Sequence, residues 1–138
     1  MSPEQRSNGT RSIPVTTVQG TIRSDELGVT LPHEHLSNDL RTGLAAQLAA
    51  APDPYRTLNV TPETAWMLRE HPYDCAENCQ LADSHAEVLA DLQTFRAHGG
   101  NTVIDLTSAG AGQDLQAMRQ FSAESGLNVI AGCGWYLE

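Results

Sequence analysis

The sequence predicts an α/β fold on parallel strands, and three observations carry that prediction. Thr102-Val103-Ile104-Asp105-Leu106 and Asn128-Val129-Ile130-Ala131 are short apolar runs of the kind that form buried strands. Stretches with helical spacing and helical end signals lie before and between them. The resulting order of strand, helix, strand, helix, strand with short loops is that of a parallel sheet covered by helices. Right-handed crossovers bring the strand C-termini to one edge, and in such folds sites form at that edge.

The elements follow in chain order. Met1 to Ser12 is polar, with Asn, Gly and Ser, and is expected to be a disordered tail ahead of a domain over 13–138. Val15 to Val18 is β-branched and reads as a short strand, with a turn at Gly20 and a turn or single helical turn over Ser24 to Gly28. Val29, Thr30 and Leu31 form a strand that runs into Pro32-His33-Glu34-His35. Pro32 lacks an N–H, which weakens the ladder there and places His33 and His35 at the strand's C-terminal end.

Leu44 to Ala51 reads as a short helix ended by Pro52 and Pro54. A further helix should have Thr61 as its N-cap, Pro62 in its first position and Trp66, Met67 and Leu68 within it, stopping before Pro72. Ser84-His85-Ala86-Glu87 has the form of a capping box. Val88, Leu92 and Phe95 then follow on one helical stripe, and Gly99-Gly100 ends the helix. Gly110-Ala111-Gly112 is a loop, and Asp114 to Ser125 a helix stopped by Gly126.

Composition narrows the function classes. The 138 residues carry a net charge of −9, with 40% hydrophobic and 18% charged residues, which is globular composition. That acidity argues against nucleic acid, whose phosphates need clustered Lys and Arg. No apolar run approaches the roughly 20 residues of a membrane span, and the start lacks a signal-peptide core. The expectation is a cytoplasmic protein with no membrane partner. Three cysteines, Cys75, Cys79 and Cys133, read as free thiols, and Cys75 and Cys79 as small apolar residues rather than metal ligands.

His33 and His35 are the sharpest chemical feature. Side chains two apart on a strand share a face, so two imidazoles at one strand end can share a metal ion, while Glu34 points the other way. Two histidines are fewer than the three protein ligands a catalytic zinc takes, so the pattern alone leaves metal ligands and ordinary histidines both open. Asp105 is an acid at the end of an apolar strand, where burial demands a partner. Holding a ligand histidine in its tautomer and capping the following loop are both open to it. His71, His85 and His98 read as solvated surface histidines.

Taken together, these segments resemble the phosphotriesterase family of the amidohydrolase superfamily. Val18-Gln19-Gly20-Thr21-Ile22 and Glu26-Leu27-Gly28-Val29-Thr30-Leu31-Pro32-His33-Glu34-His35-Leu36 are similar to its N-terminal signature. His71-Pro72-Tyr73-Asp74-Cys75-Ala76-Glu77-Asn78 resembles an insert of the phosphotriesterase-related branch. Gly99 to Thr107 and Gly126 to Tyr136 resemble the second- and third-strand motifs.

The resemblance implies the first three strands of a TIM-type (β/α)8 barrel. It also implies a metal-dependent hydrolase of phosphotriester, lactone or carboxylic ester bonds, working through a hydroxide that bridges two divalent metal ions. Zinc is the first expectation for those ions, with cobalt or manganese as alternatives. It makes His33 and His35 ligands of the more buried metal, places Asp105 near the site as an outer-sphere residue, and puts Trp135 and Tyr136 in the substrate pocket.

Two departures stand out. Gln113 occupies the place of the family's Arg, removing a charged anchor and putting the loop's position in question. The remaining family ligands (a carboxylated Lys, two His and an Asp) belong to later strands, and no residue here replaces them. A whole barrel needs about 250 residues. The expectation is therefore the N-terminal fragment of a longer hydrolase. The alternatives are a subunit completed by a second chain or a homodimer partner, and a non-catalytic relic or binding module.

Overall fold

A computed structural model describes residues 11–81 and 83–135. A parallel sheet of β3 (Val29–Glu34), β4 (Gly100–Asp105) and β5 (Asn128–Ala131), in that spatial order, carries two helices, α3 (His85–Ala97) and α4 (Leu115–Ser125). Both strand pairs are parallel, and each crossover runs through one of these helices. This is the predicted α/β arrangement: the first portion of a TIM-type barrel, three strands in and not closed.

The core lies between sheet and helices. Val103 and Val129 from the strands meet Leu92 of α3, Met118 and Phe121 of α4, and Leu36 and Leu127 from the loops. Val88 and Phe95 pack against this cluster, as their helical stripe requires.

The register of β3 on β4 decides where the histidines go. Leu31 pairs with Val103, but Glu34 pairs with Asp105, so β3 carries one residue more than β4 across this stretch. Such an irregularity reverses the alternation of faces. Leu31 packs on the helical core, and beyond the irregularity Leu36 does so again. The His33 and His35 positions are thereby turned to the opposite face.

The N-terminal strand is half of a hairpin. β1 (Pro14–Thr17) pairs antiparallel with β2 (Gly20–Arg23), a strand that the reading of Gly20 as a plain turn did not anticipate. Only Val18 and Gln19 separate the two strands. The Val18 N–H donates to the Val129 carbonyl at 2.9 Å and fixes the hairpin to β5. The Ser24–Glu26 segment is a single 3-10 turn, as expected. The tail over 1–12 lies largely outside the described residues. Ser12 is described, and its hydroxyl donates to Asp25.

Between β3 and α3 the chain makes a long excursion. It leaves and returns through an antiparallel bridge of Asp39 with Gln80, flanked by Leu40 N–H to Cys79 carbonyl and Leu81 N–H to Asn38 carbonyl, both 2.9 Å. The excursion holds α1 (Ala45–Ala50) and α2 (Ala65–Glu70) and has its own small interior of Ala51, Leu68, Cys75 and Cys79. Cys75 and Cys79 are free and buried, while Cys133 is free and exposed. Burial pushes the Cys79 thiol up, which keeps it protonated and inert.

Two end signals differ from their sequence reading. α2 starts later than Thr61 and Pro62 suggest: Thr64 is its N-cap, and Thr61 folds back into a turn in which its N–H donates to the Thr64 hydroxyl. The capping box at Ser84 does not form. Ser84 is the N-cap of α3, but at φ −105 and ψ 33 its side chain makes no cap bond. Asp114 does what Ser84 does not, its Oδ1 accepting from the N–H groups of Gln116 and Ala117, both at 2.9 Å. Asp114→Ala should therefore cost about 1 kcal/mol, and Ser84→Ala only a few tenths, read as shifts in urea midpoint. Equal losses at the two caps would contradict this geometry.

Candidate functional site

The C-terminal edge of the sheet brings together the segments after β3, β4 and β5. His33 and His35 lie close, with ring centroids 5.6 Å apart and planes at 73°. Both are exposed, while Leu36 and Ser37 just beyond them are buried. Glu34 lines a cavity with Val88, Asp91 and Leu92 of α3, and His35 borders the same cavity. His35 is further fixed by a 2.9 Å hydrogen bond between its Nδ1 and the Thr107 hydroxyl. That bond leaves Nε2 as the ring's outward nitrogen.

Asp105 sits beneath this pair with no exposure at all. Its Oδ2 accepts from the Leu36 N–H and its Oδ1 from the Thr107 N–H, both at 2.7 Å. The carboxylate thus spans the loops after β3 and β4. Among the described residues it makes no hydrogen bond to either imidazole; the side chain that bonds to a histidine is Thr107. Sequence reasoning passed over Thr107, although its hydroxyl two positions after a buried acid was the available signal.

The neighbouring loops are held just as firmly. Gln113 stands where an arginine was expected, and its Nε2 donates to the carbonyls of Thr107 and Gly132, each at 2.8 Å. One neutral amide therefore joins the loops after β4 and β5, and the doubt about the loop's placement resolves into a clamp without charge. Gly132 lies so close that a Cβ there would stand 2.9 Å from the Asp105 carbonyl. Gly112 has φ +79, and a Cβ on it would come within 2.5 Å of the Asp39 nitrogen. Only glycine lets this turn press on the segment after His35.

On that segment, Arg41 donates from Nε and Nη2 to the two carboxylate oxygens of Asp39. These bonds hold the Asp39 carboxyl below its usual range against the opposing effect of burial. Trp135 is 91% exposed, and Tyr136 lies outside the described residues.

The other histidines divide. His98 is exposed, with its Nδ1 2.8 Å from the Thr94 carbonyl. His71 is exposed but packs against Tyr55 with the rings tilted at 45°, and meets Asp74 at 3.1 Å. His85 is not a free surface histidine. It is half-buried and stacked on Phe121 at 4.3 Å, because the first turn of α3 lies over α4.

Two imidazoles on one face, one of them oriented through its Nδ1, are chemically suited to a divalent ion such as zinc. Among the described residues no group of three or more His, Cys, Asp or Glu is placed to hold a metal.

Comparison with known proteins bears on the fold and the family. Residues 13–138 match the phosphotriesterase family. The chain is 34% identical over 128 residues to an N-acetyltaurine hydrolase of Tetraodon nigroviridis, covering 90% of this chain and 35% of the relative. It is 35% identical to a resiniferatoxin-binding protein from Rhodobacter sphaeroides, with a TM-score of 0.73 over 91% of this chain and 35% of that one. A lactonase from Listeria monocytogenes shares the fold at a TM-score of 0.58 and 23% identity, over 88% of this chain and 28% of that one. The chain thus spans about a third of the length of the curated relatives it matches. No helix among the described residues is long and apolar enough to cross a membrane.

If Asp105 ties the two loops as described, its removal leaves two buried N–H groups unpaired. Asp105→Ala should lower stability by about 3 kcal/mol and Asp105→Asn by less, since the amide keeps one acceptor oxygen. Urea midpoints give the size of the loss, and amide exchange should show protection falling first at Leu36 and Thr107. A loss of under about 1 kcal/mol for the alanine variant would remove Asp105 from this role.

Proposed function

The chain belongs to the phosphotriesterase family, and on that premise we propose that it supplies the first part of a divalent-metal hydrolase site. The observation that carries the proposal is the His33–His35 pair, set on one face at the C-terminal edge of the sheet. In this reading His33 and His35 are two ligands of a metal ion, zinc before cobalt or manganese. The other ligands come from sequence beyond these strands or from a second chain. Residues 13–138 form the N-terminal part of the barrel, and this chain by itself is inactive. A bound ion would supply Lewis acidity toward a phosphoryl or carbonyl oxygen and lower the pKa of a water.

The chain's own residues do the positioning. Thr107 orients His35, Asp105 fixes the backbone on which both sit, and Gln113 locks the adjoining loops. Phosphotriesters, lactones and carboxylic esters are the substrate classes. The N-acetyltaurine hydrolases among the relatives add an acyl amide to that range. Trp135 and Tyr136, at the end of the third-strand motif, belong in this reading to the substrate side of the site.

The test is a cobalt or zinc titration of the 138-residue chain, beside a His33→Ala/His35→Ala variant. Binding should be weak, because half a tetrahedral shell or more is left to water, and the double variant should abolish it. Added phosphotriester or lactone should not turn over. Metal binding that survives loss of both histidines would refute the ligand assignment. Turnover that depends on them would show that this chain builds a working site alone.

A further inference from the structure

The stretch His71 to Asn78, set apart by its sequence, folds into a turn that several side chains hold and that presents one. The Asp74 N–H donates to the His71 carbonyl at 3.3 Å, closing a four-residue turn with Pro72 and Tyr73 at its tip. Pro72 suits the second position of such a turn, because its φ is already set. The side chains close the same turn again: His71 Nδ1 lies 3.1 Å from Asp74 Oδ2. A carboxylate only accepts, so Nδ1 carries the hydrogen. The other Asp74 oxygen accepts from Gln47 Nε2 of α1 at 3.2 Å. Asn78 Nδ2 donates to the Pro72 carbonyl at 2.8 Å. His71 itself ends α2, its N–H donating to the Met67 carbonyl at 3.0 Å, and its ring packs against Tyr55. Cys75, directly after the turn, is fully buried. Bonds this close to solvent add little to global stability, so their effect is local to the turn.

Tyr73 is the residue of the turn whose side chain none of these bonds engages. It is 47% exposed, so burial does little to fix its ring, and the turn has to do so. Tyr73 nonetheless forms a wall of a cavity of about 260 Å³ beside His35, together with Leu40, Leu106 and Ala111. Among the described residues no Asp, Glu, Lys or Arg lines that cavity. An aromatic wall among aliphatic ones favours a ring, because ring pairs gain more than the area they bury.

We propose that Tyr73 determines specificity at the site, as the surface against which an apolar ring of the substrate lies. His71 and Asp74 are positioning residues that act on the site only through Tyr73. The motif thereby divides into holders and one presented side chain. The substrate role rests on the hydrolase reading; the placement of Tyr73 and the preference for a ring do not.

The experiment uses the full 138-residue chain, methyl-labelled and without added metal. It is titrated by NMR with benzyl acetate and, separately, with cyclohexylmethyl acetate, esters of similar size of which only the first is aromatic. Both should shift the methyl signals of Leu40, Leu106 and Ala111. Benzyl acetate should bind roughly threefold to tenfold more tightly, the worth of one aromatic pair. Tyr73→Leu should abolish that preference and Tyr73→Phe should keep it. His71→Phe keeps a ring against Tyr55 but removes the donor. It should reduce the preference and move the same methyl signals in the unliganded chain. His71→Asn puts a side-chain N–H near the place of Nδ1 and should restore both. A merely structural role for His71 would leave the preference unchanged.

Equal affinity for the two esters, a preference that survives Tyr73→Leu, no binding of either ester, or a His71→Phe chain that behaves as wild type would overturn the proposal. Because no metal is present, failure here leaves the His33–His35 assignment standing. Failure of that assignment leaves Tyr73 in its place and removes only its substrate.

Discussion

Everything at the working edge of this sheet hangs on a carboxylate that never meets solvent. Asp105 ends β4 and accepts from two backbone N–H groups, one on the segment after β3 and one on its own loop. Burying an ionised carboxylate costs several kcal/mol. Two short charge-assisted bonds return much of that, and they bind two separate chain segments in doing so. The Leu36 N–H lies one residue past His35, and the Thr107 N–H belongs to the residue whose hydroxyl meets His35. The same acid therefore sets the imidazole and its partner at once, through backbone bonds alone. A hydrophobic residue could fill the volume, but it would leave both N–H groups unpaired and both loops free.

The second determinant is the register irregularity in β3. Strict alternation from Leu31 would put His33 on the face that packs against α3 and α4, where a pair of imidazoles would be unpaired polar groups in a core. The extra residue opposite β4 reverses that assignment just before the histidines. Pro32 lies within this stretch, and a residue that cannot donate to the ladder is where such a break costs least. Leu36 then returns to the core and ends the excursion of the strand. The face that carries the two histidines is in this sense made by a local fault in the sheet.

These two features show how far the sequence could be read. The parallel strands, the two crossover helices and the meeting of three segments at one edge follow from period and end signals, because buried strands and striped helices leave repeated marks. The β1–β2 hairpin was missed because its Val18-Gln19 turn lacks the Asn-Gly or Gly-Gly pairs that announce such turns. The Ser84 box failed because a pattern of residue types does not fix φ and ψ, and Asp114, in an extended backbone, capped its helix instead. Asp105 was recognisable as an acid needing partners. That those partners would be backbone groups on two loops depends on tertiary placement, which no local pattern encodes. Gln113 shows the same limit: its two carbonyl partners are Thr107 and Gly132, which only the fold brings together.

The excursion between β3 and α3 extends the argument from holding the site to shaping it. Its neck closes on Asn38, Asp39 and Leu40, the residues directly after the histidines, so whatever the excursion does is felt at the site. Its interior is small and includes two cysteines whose size, rather than reactivity, suits the space. A loop with its own packed interior can keep a fixed form while its outer residues change. Tyr73, exposed on that excursion, reaches the wall of the cavity beside His35. The sheet thus holds the two histidines, and the excursion sets Tyr73 beside them. The histidine pair and the wall beside it come from different parts of the chain, joined at Asn38–Leu40.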